Sequence, residues 1–169
     1  MGCEVDLTYE DDVACALSTD EVIGICERVL AEEGIQRHCL VSVSIVEEET
    51  MRGLNAQWRG KDAPTDVLSL ECERPDDPDL ADDEPCELGD IVLAPEYIRN
   101  QAEAYGTTWA DETRLLLVHG MLHLLGYDHM EDEEAQAMEA REDGIVESIK
   151  TDAHLQGVEF TRHRREGLA

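Results

Sequence analysis

The order of strand-like and helix-like segments, β-α-β-α-β-β-α-α-α, predicts an α+β fold: a single domain with a four-stranded mixed sheet and about five helices. Three observations support this. The chain has 169 residues, 42% of them apolar, which suits one domain with a substantial core. Side-chain periods of 2 and of 3.6 alternate along it. One stretch, Leu115 to Leu125, is apolar nearly all round, the pattern of a central buried helix. The domain is expected over residues 1–150, with residues 151–169, which show no clear period and end basic, as a C-terminal tail.

Taken in order, Cys3, Val5, Leu7 and Tyr9 alternate with polar residues, as in a half-buried strand. Ser18-x-x-Glu21 is a capping box, and Val22, Cys26, Val29 and Leu30 repeat at helical spacing until Gly34. Leu40 to Val46 is β-branched and reads as a second strand. Met51, Leu54, Asn55 and Trp58 mark a short amphipathic helix, followed by a Gly-, Pro- and Asp-containing loop over residues 59–66. Val67 to Leu70 is a third strand. Residues 71–90 carry ten acidic groups against one Arg and three prolines, so a solvated, mobile excursion is expected there. Leu88 to Leu93 is a fourth strand, and Pro95 opens a helix with Ile98, Ala102 and Tyr105 on one side. Thr108-x-x-Asp111 caps the helix that becomes the buried one. A last acidic helix runs roughly from Glu131 to Ile149, with Ala135, Met138, Ile145 and Ile149 facing inward.

Charge narrows the functional classes. With 41 Asp or Glu against 13 Lys or Arg, the formal charge is 13 − 41 = −28, which excludes any broad basic surface for polyanions. The first 27 residues contain no Lys or Arg, so no secretory leader is expected. The longest uncharged run, Leu115 to Tyr127, has 13 residues, too few to span a bilayer. Six dispersed cysteines (Cys3, Cys15, Cys26, Cys39, Cys72, Cys86) form no Cys-x-x-Cys pair and read as reduced thiols of a cytoplasmic protein, several acting as small hydrophobes.

The chemistry concentrates in His119-Gly-Met-Leu-His123-Leu-Leu-Gly126-Tyr-Asp-His129. On a helix, His119 and His123 project from one face about 5–6 Å apart, so two ring nitrogens can converge on one zinc. Gly126 lets the chain leave the helix in a left-handed turn that swings His129 round as a third ligand. Three protein nitrogens leave a fourth position open, the catalytic rather than structural arrangement. Three imidazoles in an otherwise apolar segment would be costly without such a partner. Nickel, copper or iron would also accept imidazole.

The spacing His-x₃-His-x₂-Gly-x₂-His is shared with metzincin peptidases, which carry a Glu general base directly after the first His. Here that position is Gly120, so the metal geometry is kept and the peptidase base is lost. Close approach of substrate or tight packing would each account for a glycine inside the helix.

The histidine stretch, together with Leu54-Asn-x-x-Trp-Arg59-Gly-Lys-Asp-x-Pro-Thr-Asp-Val-Leu-Ser69 and Leu88-Gly-Asp-Ile91, resembles the YbeY family of bacterial rRNA-maturation endoribonucleases. Three separated motifs match in order, from Val5 to about Ile149. The resemblance implies a metal-dependent, single-strand-specific endoribonuclease of small-subunit rRNA processing and ribosome quality control. It implies one Zn²⁺ per chain on His119, His123 and His129, with Arg59 and His119 as residues of the reaction. Partners would be single-stranded rRNA and the ribosomal small subunit or its assembly proteins, with no membrane. Leu70 departs from the Phe usual after Val-Leu-Ser, and the acidic insert over residues 71–87 is of variable type.

The residues agree with phosphodiester chemistry, which needs positive charge on phosphate oxygens. Arg59, in the loop before a strand, can donate two parallel hydrogen bonds, and Lys61 and Arg52 complete an internal basic patch. Asp66, Asp90 and Asp128 are candidates to orient a ligand imidazole. The basic end, Arg162 to Arg165, is a further possible RNA contact. Two other readings remain open at this point: a zinc peptidase with its base supplied from elsewhere, and a non-catalytic ribosome-assembly factor whose metal only holds the fold.

Overall fold

The computed structural model describes residues 2–127 and 132–150; the expected tail lies outside them. The elements are β1 (Cys3–Tyr9), α1 (Thr19–Glu32), β2 (Cys39–Ile45), α2 (Glu48–Arg59), β3 (Val67–Glu71), β4 (Cys86–Leu93), α3 (Pro95–Tyr105), α4 (Trp109–Leu124) and α5 (Asp132–Lys150). Their order is the one the periodicities predict, and the fold is α+β. The sheet runs β1-β2-β4-β3, with the first three strands parallel and β3 antiparallel along the edge.

The expected caps form. Ser18 Oγ accepts from the Glu21 amide at 3.2 Å, and Thr108 Oγ1 accepts from the Asp111 amide at 3.1 Å. Two apolar clusters then separate the faces of the sheet. Val67, Leu88, Ile91 and Leu93 turn toward α1, α4 and α5, while Leu68 and Val92 turn toward Met51 and Leu54 of α2. The alternation 67/68 and 91/92 is the period of the strand. From Asp111 to Leu122 every residue of α4 is buried, and the helix packs against α3, β3 and β4. Burying each of its leucines contributes roughly 1.5–3 kcal/mol, so this helix dominates the core.

Cys26, Cys39 and Cys86 belong to that core. Burial raises the Cys86 thiol to about 12, raises Cys3 to about 12 and pushes Cys26 further up, so these are inert hydrophobes as expected. No helix among the described residues is long and apolar enough to cross a membrane.

The acidic stretch departs from expectation. Pairing continues beyond β3, with the Cys72 amide on Leu88 O at 2.9 Å and the Glu73 amide on Glu87 O at 2.8 Å. Leu80 is buried, and β4 begins two residues early, at Cys86. The Arg37 guanidinium donates to the carbonyls of Pro75 at 3.1 Å, Ala81 at 2.6 Å and Glu84. One distant cation and one leucine thus pin a segment whose own composition has little to bury.

At the other edge of that segment, β4 slips register between the partners of Leu40 and Val41, and Gly89 follows with φ +133°. A Cβ there would lie 2.1 Å from the carbonyl oxygen of Leu70, which is backbone and cannot yield. Gly89→Ala is therefore expected to destabilise the protein by about 2–4 kcal/mol, read as a lower urea midpoint at unchanged slope.

Candidate metal centre

His119 and His123 lie one turn apart on α4, and their Nε2 atoms face each other at 3.0 Å with the rings nearly perpendicular, 80° apart. The other nitrogen of His119, Nδ1, lies 2.6 Å from Glu142 Oε2 on α5. Both side chains are buried: His119 is 7% exposed and Glu142 1%. A carboxylate accepts, so Nδ1 carries the proton and the Nε2 lone pair points toward His123. This is the carboxylate–histidine arrangement that fixes tautomer and ring orientation for a metal ligand.

The two nitrogens fit a metal. Ligands at about 2.0–2.1 Å in a tetrahedron stand roughly 3.3 Å apart, close to the observed separation. His129 and Asp128 lie outside the described residues, and among the described residues no group of three His, Cys, Asp or Glu side chains is gathered for an ion. The described part of the site is therefore a two-nitrogen pair with its orienting carboxylate.

The turn that leads away from this pair is built as expected. The Gly126 amide donates to His123 O at 3.0 Å and the Tyr127 amide to Leu122 O at 3.0 Å, a Schellman ending with Gly126 at φ +104°. The Arg74 guanidinium covers it, 3.0 Å from where a Gly126 Cβ would stand, while its Nη2 donates to Glu71 at 3.1 Å. The one cation of the acidic stretch is thus set against the end of the histidine helix.

Gly120 has a packing reason. A Cβ there would stand 3.2 Å from Ser69 Oγ and 3.3 Å from Ile91 Cγ2, so the glycine lets α4 press against β3 and β4. It faces the sheet, not a substrate.

Among the other candidates, Arg59 is the last residue of α2 rather than part of a loop, and is exposed there. Helix α2 packs on the face of the sheet opposite α4. Arg52 leaves the expected basic patch: it holds Asp62 through two bonds of 2.8 and 3.1 Å and Glu49 through one of 3.1 Å. Lys61 is exposed and makes no ion pair among the described residues. Asp66 is buried at the start of β3, accepting from the Val67 amide at 2.7 Å and from Gln101 at 3.1 Å, and Asp90 is exposed on β4. Neither is shown holding a histidine; the observed orienter is Glu142, which sequence reasoning missed. Its signal was available, since Glu142 falls on the inward stripe of Met138, Ile145 and Ile149, where a carboxylate needs a partner.

A family model described as Endoribonuclease YbeY matches residues 8–150. The chain is 39% identical to the Endoribonuclease YbeY of Bacillus velezensis over 150 residues, covering 87% of this chain and 96% of that protein. It is 41% identical to the Endoribonuclease YbeY of Salinispora tropica, covering 80% and 90%. Among solved structures, the solution structure of TM1509 from Thermotoga maritima is similar with a TM-score of 0.58 at 26% identity, covering 86% of this chain and 89% of that one.

The Glu142 contact yields a direct test. Glu142→Gln keeps an acceptor but removes the charge behind His119, so that a divalent metal titrated onto the histidine pair is expected to bind about 10- to 100-fold more weakly in competition with a chelator, with the far-UV spectrum unchanged.

Proposed function

The chain belongs to the YbeY endoribonuclease family, and from that premise we propose that it is a zinc-dependent, single-strand-specific endoribonuclease. It acts in the cytoplasm on small-subunit rRNA, in maturation and ribosome quality control, with the ribosomal small subunit or assembly proteins as partners. His119, His123 and His129 hold one zinc ion, and Arg59 and His119 are the catalytic residues. The observation that carries this reading is the 3.0 Å convergence of two imidazole nitrogens, one of them anchored by a buried carboxylate.

When bound, the ion supplies positive charge to phosphate oxygens and lowers the pKa of a water toward neutrality. The chain's own residues do the rest. Glu142 retains the Nδ1 proton of His119, so that Nε2 stays available as a ligand at every stage. Burial of His119 excludes bulk water on the protein side of the site and strengthens electrostatic interactions there. Arg59, exposed at the end of α2, binds a phosphate of the strand through paired N–H donors.

Purified protein with its metal counted, assayed on single-stranded RNA and on casein, tests the assignment. His119→Ala is expected to lose both the ion and RNA cleavage, by at least about 100-fold, and a chelator to do the same. Arg59→Ala should retain the ion and lose about 10²–10³-fold in rate. Undiminished RNA cleavage in His119→Ala would reject a catalytic ion, and casein cleavage would favour the peptidase reading.

Salt gives an independent measurement. If Arg59 and Lys61 neutralise two phosphates of a single strand, log Kd against log salt should have a slope of magnitude about 1.4, far below that of a broad basic cleft.

A further inference from the structure

We propose that Trp58 is a stacking platform for a nucleobase of single-stranded RNA, set beside Arg59 so that base and phosphate of one strand are held together. This rests on the endoribonuclease reading and deepens it. Trp58 is 56% exposed, ahead of Tyr105 at 45% and Tyr9 at 43%. Its place on α2 explains the exposure. Met51 is fully buried and Leu54 packs against the same cluster, but Trp58, one turn beyond Leu54, belongs to neither cluster. The apolar stripe of α2 is therefore buried at Met51 and more than half exposed at Trp58, its largest side chain.

Two features favour a polynucleotide as the occupant. The residues that follow Trp58 in the chain are cationic, Arg59 at the helix end and Lys61 just after it, and both are exposed in a chain of formal charge −28. With two outward cations the electrostatic contribution to RNA affinity is small, so affinity must come largely from an interaction that salt does not screen. Stacking on an indole is such an interaction, and it is sequence-tolerant because every base has a π-face. It also selects single strands, since bases in a duplex are already stacked on one another.

The test uses the full chain and an eight-residue 2′-O-methyl oligoadenylate, which binds without being cut, with an abasic backbone of the same length and a duplex as comparators. The chain has two tryptophans, and Trp109 is half-buried with its Nε1 donating to Pro95 O at 3.0 Å. Quenching by the oligoadenylate should therefore come from Trp58, be present in the wild type and disappear in Trp58→Phe. Affinity should fall about 5- to 100-fold in Trp58→Ala and stay within about threefold in Trp58→Phe. Neither the abasic strand nor the duplex should distinguish wild type from Trp58→Ala. Melting temperatures within a few degrees of wild type are expected, because the ring is outside both clusters. Wild-type affinity in Trp58→Ala, or quenching that persists in Trp58→Phe, overturns the proposal; with RNA cleavage intact in the wild type, that result removes the stacking site and assigns the ring to a protein-facing surface. A wild type that neither binds the oligoadenylate nor cuts RNA removes the endoribonuclease reading with it.

Discussion

A buried imidazole must have both nitrogens engaged, and the way His119 meets that demand organises the molecule around it. Its Nδ1 is 2.6 Å from Glu142, so α5 is tied to α4 by a charge-assisted contact in addition to the packing of Met138, Ile145 and Ile149. On another side of the same helix turn, Gly120 lies against Ser69 and Ile91, which fixes how closely α4 approaches the sheet. Together these contacts set the rotation of α4 about its own axis. The Nε2 atoms of His119 and His123 face one another at 3.0 Å. With its Nδ1 held by a carboxylate from a second element, the His119 ring is preorganised to present Nε2.

The distribution of cations explains how so acidic a protein could act on a polyanion. Of 13 basic residues, several are committed to the fold. Arg37 holds three carbonyls of the acidic stretch, Arg114 is buried between Asp111 and Glu21, Arg141 pairs with Glu33, and Arg52 is held on α2. Near the expected phosphate contact, Arg59 and Lys61 are exposed. Bulk attraction for RNA is consequently weak, and recognition depends on local, geometry-sensitive contacts. Such a surface discriminates well against non-specific duplex, where electrostatics alone supplies nearly all the affinity.

The parts of this arrangement that could be read from the sequence are those set by local rules. The caps at Ser18 and Thr108, the Schellman ending at Gly126 and the alternation of the strands each depend on residues within a few positions of one another. The parts that could not are contacts between distant segments. Glu142 meets His119 across 23 residues, Arg37 reaches Glu84 across 47, and Arg74 lies over Gly126 because a β-strand returns there. No period or spacing encodes such pairs. Only the anomaly of a carboxylate on an apolar stripe, at Glu142, gave a local sign of one. Trp58 failed for the opposite reason: its spacing fits the buried stripe of α2, but the ring is 56% exposed.

The spacing shared with metzincin peptidases can be weighed on the same geometry. In those enzymes the residue after the first histidine must carry a carboxylate that reaches the open side of the metal. In this fold, a Cβ at position 120 is directed into the sheet, between Ser69 Oγ at 3.2 Å and Ile91 Cγ2 at 3.3 Å. A side chain there would press on Ser69 and Ile91, which would have to give way, and would start from the sheet side of α4. The close packing of α4 on the sheet thus favours glycine at this position over the peptidase base. With no carboxylate available from that position, a helix of this kind suits a reaction in which the substrate itself is anionic and is activated by positive charge. That shifts the chemical burden from a general base on the helix to groups that bind phosphate, the role proposed for Arg59.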